Sequence, residues 1–476
     1  MRPLAIAAAL CLIPGALAAQ AQASTQPPPA PLRPYRMPQV RTTTLPNGVL
    51  VVVVERHELP IVTARLIADA GAMFEPAERS GLALLTADML REGTATMSGP
   101  EVAARMDRLG ASFVTGGSFS LAQEQITALP PVFPEAFELA TETFMTPSFP
   151  ASEFPRVQRI ALAGYEQTMA QAEGIAPRIF QKAIYEAASP FSRSPSGSGT
   201  TLGSITRDDV VAWHRANYTS STTVALFVGD IRFDDAVALA QRTLGRWQAG
   251  ATPTRRVSTD AQRPNGQRVI LVDRPGSSQS AIYVGAAGIG GNDPAMIPMT
   301  ALQHVLGGGF NSRANMNLRE QHGYTYGAFT DFTTLRGAGW LAIVSSVRTD
   351  ATAPALSEAL IEYKRIVAED IPQEEWAAGV NNLVASFPSS VQTVQGLAER
   401  VQRLVLYGLP LDYYATYREK LAAVTPRQAQ QVARGVMPVN AATIVAVGDL
   451  AEIEAPIRAL NLGTVEVWDR EGTRVK

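Results

Sequence analysis

The chain has 476 residues, 46% of them apolar and 18% charged, enough to build the cores of two to four domains and unlike the composition of a disordered chain. Its 41 Lys and Arg against 43 Asp and Glu leave a net charge of -2, which argues against a nucleic-acid binder. One cysteine excludes a disulfide framework and any cysteine-built zinc or iron–sulfur site, and the four histidines (His57, His214, His304, His322) stand too far apart in sequence to form a helical or short-loop metal pair.

Met1-Arg2, the apolar run Leu4–Leu17 and the alternating small residues that follow read as a signal peptide over residues 1–23, with Cys11 inside it. The run falls short of the roughly 20 apolar residues that span a bilayer, so an exported, periplasmic protein without a membrane segment is expected. Residues 24–41 are Pro-rich and read as an extended linker.

From there Val49–Val54 and Ile61–Ala68 have strand patterning. Ser80 is a candidate N-cap and Gly93 a candidate stop for a helix that buries Leu82, Leu85 and Met89. A second helix is expected over Pro100–Leu109, two short strands around Gly116-Gly117 within Ser112–Leu129, and helices over Pro134–Phe144 and Phe154–Ala172. Asp208-Asp209 and Asp234-Asp235 read as acids in the first turns of helices, and Ser194–Thr201 as an exposed Gly/Ser-rich loop.

The chain then repeats itself. Asn47-Gly48 before an apolar run recurs as Asn265-Gly266, Val228-Gly229-Asp230 as Val447-Gly448-Asp449, and Ile205-Thr206-Arg207 as Val424-Thr425-Pro426, all at an offset of about 219 positions. These matches predict a tandem duplication of an α+β unit: an N-terminal domain over 42–250, a linker over 251–263 and a C-terminal domain over 264–476. In the second half Thr325–Thr333 and Trp340–Val347 are expected to pair as a hairpin.

Leu45-Pro46-Asn47-Gly48, Asp69-Ala70-Gly71-Ala72 with Glu75, Gly81-Leu82-Ala83 and Leu90-Arg91-Glu92-Gly93-Thr94 resemble the pitrilysin family of inverted zincins, which includes insulin-degrading enzyme and mitochondrial processing peptidase. The resemblance covers nearly all of the mature chain and implies that family's fold: two similar domains, each a mostly antiparallel sheet packed with helices. In active members the helix between Gly-Leu-Ala and Gly-Thr carries H-x-x-E-H. Two imidazoles at i and i+4 share a helix face and hold one zinc, and the Glu serves as general base. Here those positions are Leu84, Leu85, Thr86, Ala87 and Asp88, so Leu84 and Asp88 replace the histidines and Ala87 the base. The window for the third ligand falls at Leu162-Ala163-Gly164, with Glu166 out of register. No catalytic zinc is expected in this chain.

The second half keeps what the resemblance marks as an Arg and a Tyr seven residues apart, in Leu318-Arg319-Glu320-Gln321-His322-Gly323-Tyr324-Thr325-Tyr326. In the family this pair reaches into a facing zinc site, so the resemblance implies that Arg319 and Tyr326 assist a partner's zinc site in trans and bind substrate. Tyr324 is the rival tyrosine, expected on the same strand face at period two. Asn311 or Ser312 is expected to cap the Arg319 helix, Gly323 to end it, and Gly307–Gly309 to form a flexible approach to it rather than a phosphate loop. His322 reads as a solvated helix-end residue.

The expected function is therefore the non-metal subunit of a heterodimeric zinc peptidase. A homologous partner subunit supplies the zinc, peptides are the substrates, and no cofactor is held by this chain. The alternative is a catalytically inactive peptide-binding or scaffold protein of the same fold.

Overall fold

The computed structural model describes residues 35–248, 253, 255, 257–262 and 264–476. The signal-peptide reading and most of the Pro-rich segment lie outside the described residues, as does part of the expected linker. Among the described residues no helix is long and apolar enough to cross a membrane.

Residues 37–476 build two six-stranded sheets. The first contains β1 (Arg41–Thr44), β2 (Leu50–Glu55), β3 (Val62–Ala68), β4 (Ser112–Gly117), β5 (Ala122–Ala128) and β6 (Thr223–Gly229), in the order β1-β2-β6-β3-β5-β4. The second contains β7 (Arg268–Asp273), β8 (Gln279–Ala287), β9 (Thr325–Thr334), β10 (Gly339–Arg348), β11 (Thr443–Gly448) and β12 (Thr464–Trp468), in the order β12-β7-β11-β8-β10-β9. Five positions correspond one to one. In each half the strand after the Asn-Gly turn runs parallel to the late strand ending in Gly-Asp, and the remaining pairs are antiparallel. Gly48 and Gly266 both adopt positive φ (97° and 94°), a conformation that favours glycine at these turns. The outermost strand breaks the symmetry: β1 folds back antiparallel on β2, whereas β12 arrives from the C-terminus parallel to β7.

Repeated caps accompany the repeated strands. Thr206 and Thr425 each open a helix with a capping box, closed by Asp209 and Gln428 respectively.

The halves are joined by exchange of helices. The helix Ala172–Ile184 lies on β8 and β11 of the second sheet, burying Ile175, Ile179 and Phe180. The helix Val394–Tyr407 lies reciprocally on β3 and β6 of the first, burying Leu397, Val401 and Leu404. The larger apolar cluster accordingly runs from Val51 and Leu66 into Val272 and Val447 of the other half. On β3, Arg65 reaches across to Gln402 at 2.7 Å.

Several local expectations change. The hairpin β4–β5 turns at Ser118–Leu121, and Gly116-Gly117 lie within β4. The helical stretch Phe154–Ala172 breaks after Met169, and a separate helix starts at Ala172. Gly307 and Gly308 belong to a wide helical turn over His304–Gly308 rather than a flexible loop. A Cβ on Gly307 would come within 2.6 Å of the Thr330 backbone, so close packing is what requires glycine there.

Candidate functional site

The helix at the position of the zinc motif, Leu82–Met89, packs against β4, β5 and the helix Arg207–Asn217. Its N-terminus is not capped by Ser80, whose hydroxyl donates to the Ser194 carbonyl at 3.2 Å. Gly81 sits in the left-handed region at the cap position, and the Glu75 carboxylate accepts hydrogen bonds from the N–H groups of Gly81 (2.9 Å) and Ala83 (3.0 Å). The sequence pattern contained Glu75 but not its role. The signal was an acid a few residues ahead of a helix whose own cap position is glycine. Burial pushes the Glu75 carboxyl up to about 7 against these hydrogen bonds.

The motif positions themselves carry no zinc donor set. Leu84 leans on β4, close enough that a Cβ on Gly117 would lie 3.2 Å from its Cδ1. Leu85 and Ala87 are buried in the core, and the Thr86 hydroxyl donates to the Leu82 carbonyl at 2.8 Å. Asp88 is the one ionisable group on this face, and burial raises its carboxyl to about 6. The helix Phe154–Met169, which would bring the third ligand, does pack beside the motif helix. It presents Leu162, Ala163 and Gly164 in the window, while Glu166 is exposed and pairs with Arg470 at 3.8 Å. The scaffold of the zinc site is thus in place, but a leucine, an alanine and one desolvated aspartate do not fit a zinc ion. Among the described residues no group of three His, Cys, Asp or Glu is placed to hold a metal.

The four histidines are dispersed. His57 pairs with Asp230 (2.7 Å) and Glu55 (3.4 Å) at the surface, His214 is buried against the Phe144 carbonyl (2.9 Å), and His304 meets Asn382 (3.1 Å).

In the second half Arg319 lies in the last turn of the helical segment Met316–Gln321, which Gly323 ends with φ 63° and an N–H bond to the Arg319 carbonyl. Ser312 occupies the cap position, but its buried hydroxyl makes no hydrogen bond in the described structure. The Arg319 guanidinium stacks over the Phe310 ring at 4.4 Å and lies 3.4 Å from Glu320.

Tyr326 sits in a β-bulge. Thr325 pairs with Val347 and Ala328 with Ser345, so Tyr326 and Gly327 together face only Ser346. Hydroxyls brace the bulge: Thr325 donates to the Ser346 carbonyl (2.7 Å), and Ser345 donates to the Gly327 carbonyl (2.9 Å). The Tyr326 side chain is left 92% exposed. Arg319 and Tyr326 therefore flank the same helix-to-strand turn, but each projects separately and neither touches the other through a hydrogen bond.

The period-two expectation for Tyr324 fails. Tyr324 precedes β9, stacks on His322 with ring centroids 5.0 Å apart, and packs on the second-half core. His322 in turn is tied to the Asn317 carbonyl at 3.0 Å. The bulge, invisible in the alternation, separates the two tyrosines.

Comparison with known proteins agrees with this geometry. The profile of the insulinase family, peptidase family M16, matches residues 50–192, and that of the peptidase M16 inactive domain matches residues 204–383. The chain is similar to a non-peptidase homolog from Helicobacter pylori, at 21% identity over 84% of this chain and 91% of that protein. It is likewise similar to an uncharacterized zinc protease from Bacillus subtilis, at 21% identity over 64% of this chain and 73% of that protein. A crystal structure of a peptidase M16 inactive domain from Pseudomonas fluorescens superposes with a TM-score of 0.80 and 26% identity, covering 86% of this chain and 98% of that one. With two profiles of one family matched in succession and that fold present in both halves, the chain belongs to peptidase family M16, and its motif positions lack both histidines and the glutamate of the zinc motif.

Proposed function

We propose that this chain is the exported, periplasmic non-metal subunit of a two-chain zinc peptidase, in which a homologous partner carries the intact H-x-x-E-H helix. Arg319 and Tyr326 then serve the partner's site. Peptide hydrolysis builds negative charge on the carbonyl oxygen, and a guanidinium and a phenol held at fixed positions stabilise it.

The observation that carries this reading is the placement of Tyr326. A phenol 92% exposed, on a bulge braced by two hydroxyl groups, contributes nothing to the packing of its own chain. Arg319, held over the exposed ring of Phe310, is likewise stacked rather than spent on a buried ion pair.

The test is to coexpress the mature chain with a homologous exported chain that has intact zinc ligands. Copurification, together with chelator-sensitive peptide hydrolysis that needs both chains, is the expected result. Full hydrolysis by the zinc chain alone overturns the proposal and leaves a scaffold of the same fold. About one tightly held zinc per molecule of this chain alone, with chelator-sensitive activity, overturns both readings.

A further inference from the structure

A second polar site lies in the second half, away from the motif helix and the Arg319 turn. Arg400 and Arg403 stand one turn apart on the helix Val394–Tyr407, whose opposite side carries the buried residues that cover the first sheet. Positions i and i+3 share a helix face, so two like charges are held side by side. Nothing acidic compensates them: neither guanidinium is ion-paired among the described residues. Arg403 donates to the Thr334 hydroxyl at 3.2 Å, and Arg400 lies 5.9 Å from the centroid of the Tyr414 ring without a hydrogen bond. Some part-buried arginines of this chain are bound to carboxylates, as Arg313 is to Glu375 (2.6 Å) and Arg268 to Glu466 (2.7 Å), and others to neutral groups in several hydrogen bonds, as Arg65 is to Gln125 and Gln402 (2.8 and 2.7 Å) and Arg178 to the Gly197 carbonyl and the Ser196 hydroxyl (both 2.7 Å).

The two arginines face a cavity of about 330 Å³, within the size range of small-ligand sites. Its wall is a cluster of tyrosines, with Tyr413 and Tyr414 5.1 Å apart and Tyr414 and Tyr417 5.6 Å apart between ring centroids, completed by Phe332 from β9. Burial pushes the Tyr413 phenol up to about 12, while the Arg403 charge draws it down. For Tyr417 the same balance holds, with burial raising it and both Arg400 and Arg403 opposing. The phenols are therefore neutral at physiological pH and able to donate hydrogen bonds, and the charges acting on them are positive.

We infer that this cavity binds an organic carboxylate with an aromatic or apolar body, the carboxylate between Arg400 and Arg403 and the body against Tyr413, Tyr414, Tyr417 and Phe332. Two guanidinium groups match an oxyanion with charge-assisted hydrogen bonds. The aromatic wall favours an organic acid over a strongly hydrated inorganic anion, because only the former gains from covering the rings. The carboxylate can come from a free acid or from the C-terminus of a peptide. The inference stands independently of the proposed role of Arg319 and Tyr326.

Calorimetric titration of the mature chain tests it, using 3-phenylpropionate against 3-phenylpropionamide, and a pentapeptide ending in Phe as free acid against its C-terminal amide. The expected result is binding of at least one acid about tenfold or more tighter than its amide, with the preference lost in Arg400→Gln and in Arg403→Gln. Binding of phenylpropionate but not of the peptide acid assigns a free acid, and binding of both assigns a site open to a peptide C-terminus. Equal binding of acids and amides, no binding of any of the four, or an acid preference that survives Arg400→Gln overturns the inference. Arg400 makes no hydrogen bond in the described fold, so its substitution leaves a folded protein on which to read the result.

Discussion

The carboxylate of Glu75 accepts the backbone N–H of Ala83 at 3.0 Å, and through it the helix at the position of the zinc motif is capped without a ligand set of its own. Glu75 satisfies a second N–H, that of Gly81, at 2.9 Å. These two buried bonds anchor the start of the helix to the segment that precedes it.

Replacing Glu75 by Ala orphans two buried N–H groups at a helix start. The expected cost is about 2–4 kcal/mol of stability, measured by chemical denaturation of the mature chain. Because the chain holds no catalytic group on this helix, the loss should appear as lower yield and a lower midpoint, not as a selective change in the activity of a reconstituted complex.

Asp88 gives the pH dependence. Burial raises its carboxyl from 3.8 to about 6, Arg91 opposing and Glu92 reinforcing. A carboxyl raised in the folded state binds its proton more tightly there than in the unfolded chain. Its contribution is therefore fully favourable below pH 3.8 and is lost as pH rises through about 6. Asp88→Asn should leave stability near pH 4 almost unchanged and raise it by about 1–2 kcal/mol above pH 7, flattening the pH profile of thermal unfolding. An unaltered profile would show that Asp88 is solvated in the folded state.

At the junction of the halves the Tyr185 hydroxyl donates to the Gly339 carbonyl and accepts the Gly339 N–H at 2.9 Å. Tyr185→Phe strips both partners of their bond inside the core, and we expect a loss of about 1–3 kcal/mol without separation of the halves, since the exchanged helices remain. Urea denaturation, with the slope compared between the two proteins, checks both parts.

For the proposed complex, Arg319→Ala or Tyr326→Phe should lower kcat by about 10–1,000-fold, because both groups would meet the oxyanion only as charge develops. Stability should stay within about 0.5 kcal/mol for Tyr326→Phe, a surface change with no packing to lose. Tyr324→Phe should do less to kcat, since Tyr324 is stacked on His322 and turned toward the core. Steady-state kinetics on the copurified pair decides. Full activity with both Arg319→Ala and Tyr326→Phe in place leaves only the scaffold reading.

The sequence by itself determined the duplication and the loss of the metal site. Both are matters of residue identity at fixed spacing: turns, caps and strand ends recur about 219 positions apart, and Leu84 and Ala87 have no donor atom, so the single carboxylate of Asp88 does not make a zinc site wherever the helix lies. It also put Arg319 near a helix end and Tyr326 at a strand start, because Gly323 marks the boundary between them. Only the tertiary structure decided the rest. The exchange of helices Ala172–Ile184 and Val394–Tyr407 depends on which sheet face is left uncovered by a partner far away in the chain, and their apolar stripes read alike whichever sheet they cover. The bulge that holds Tyr326 out and separates it from Tyr324 arises from pairing with β10, whose one-residue mismatch leaves no trace in the alternation of β9. Glu75 became a cap, and Arg400 and Arg403 came to face a wall of tyrosines, through contacts made in space between groups whose spacing in sequence carries no period.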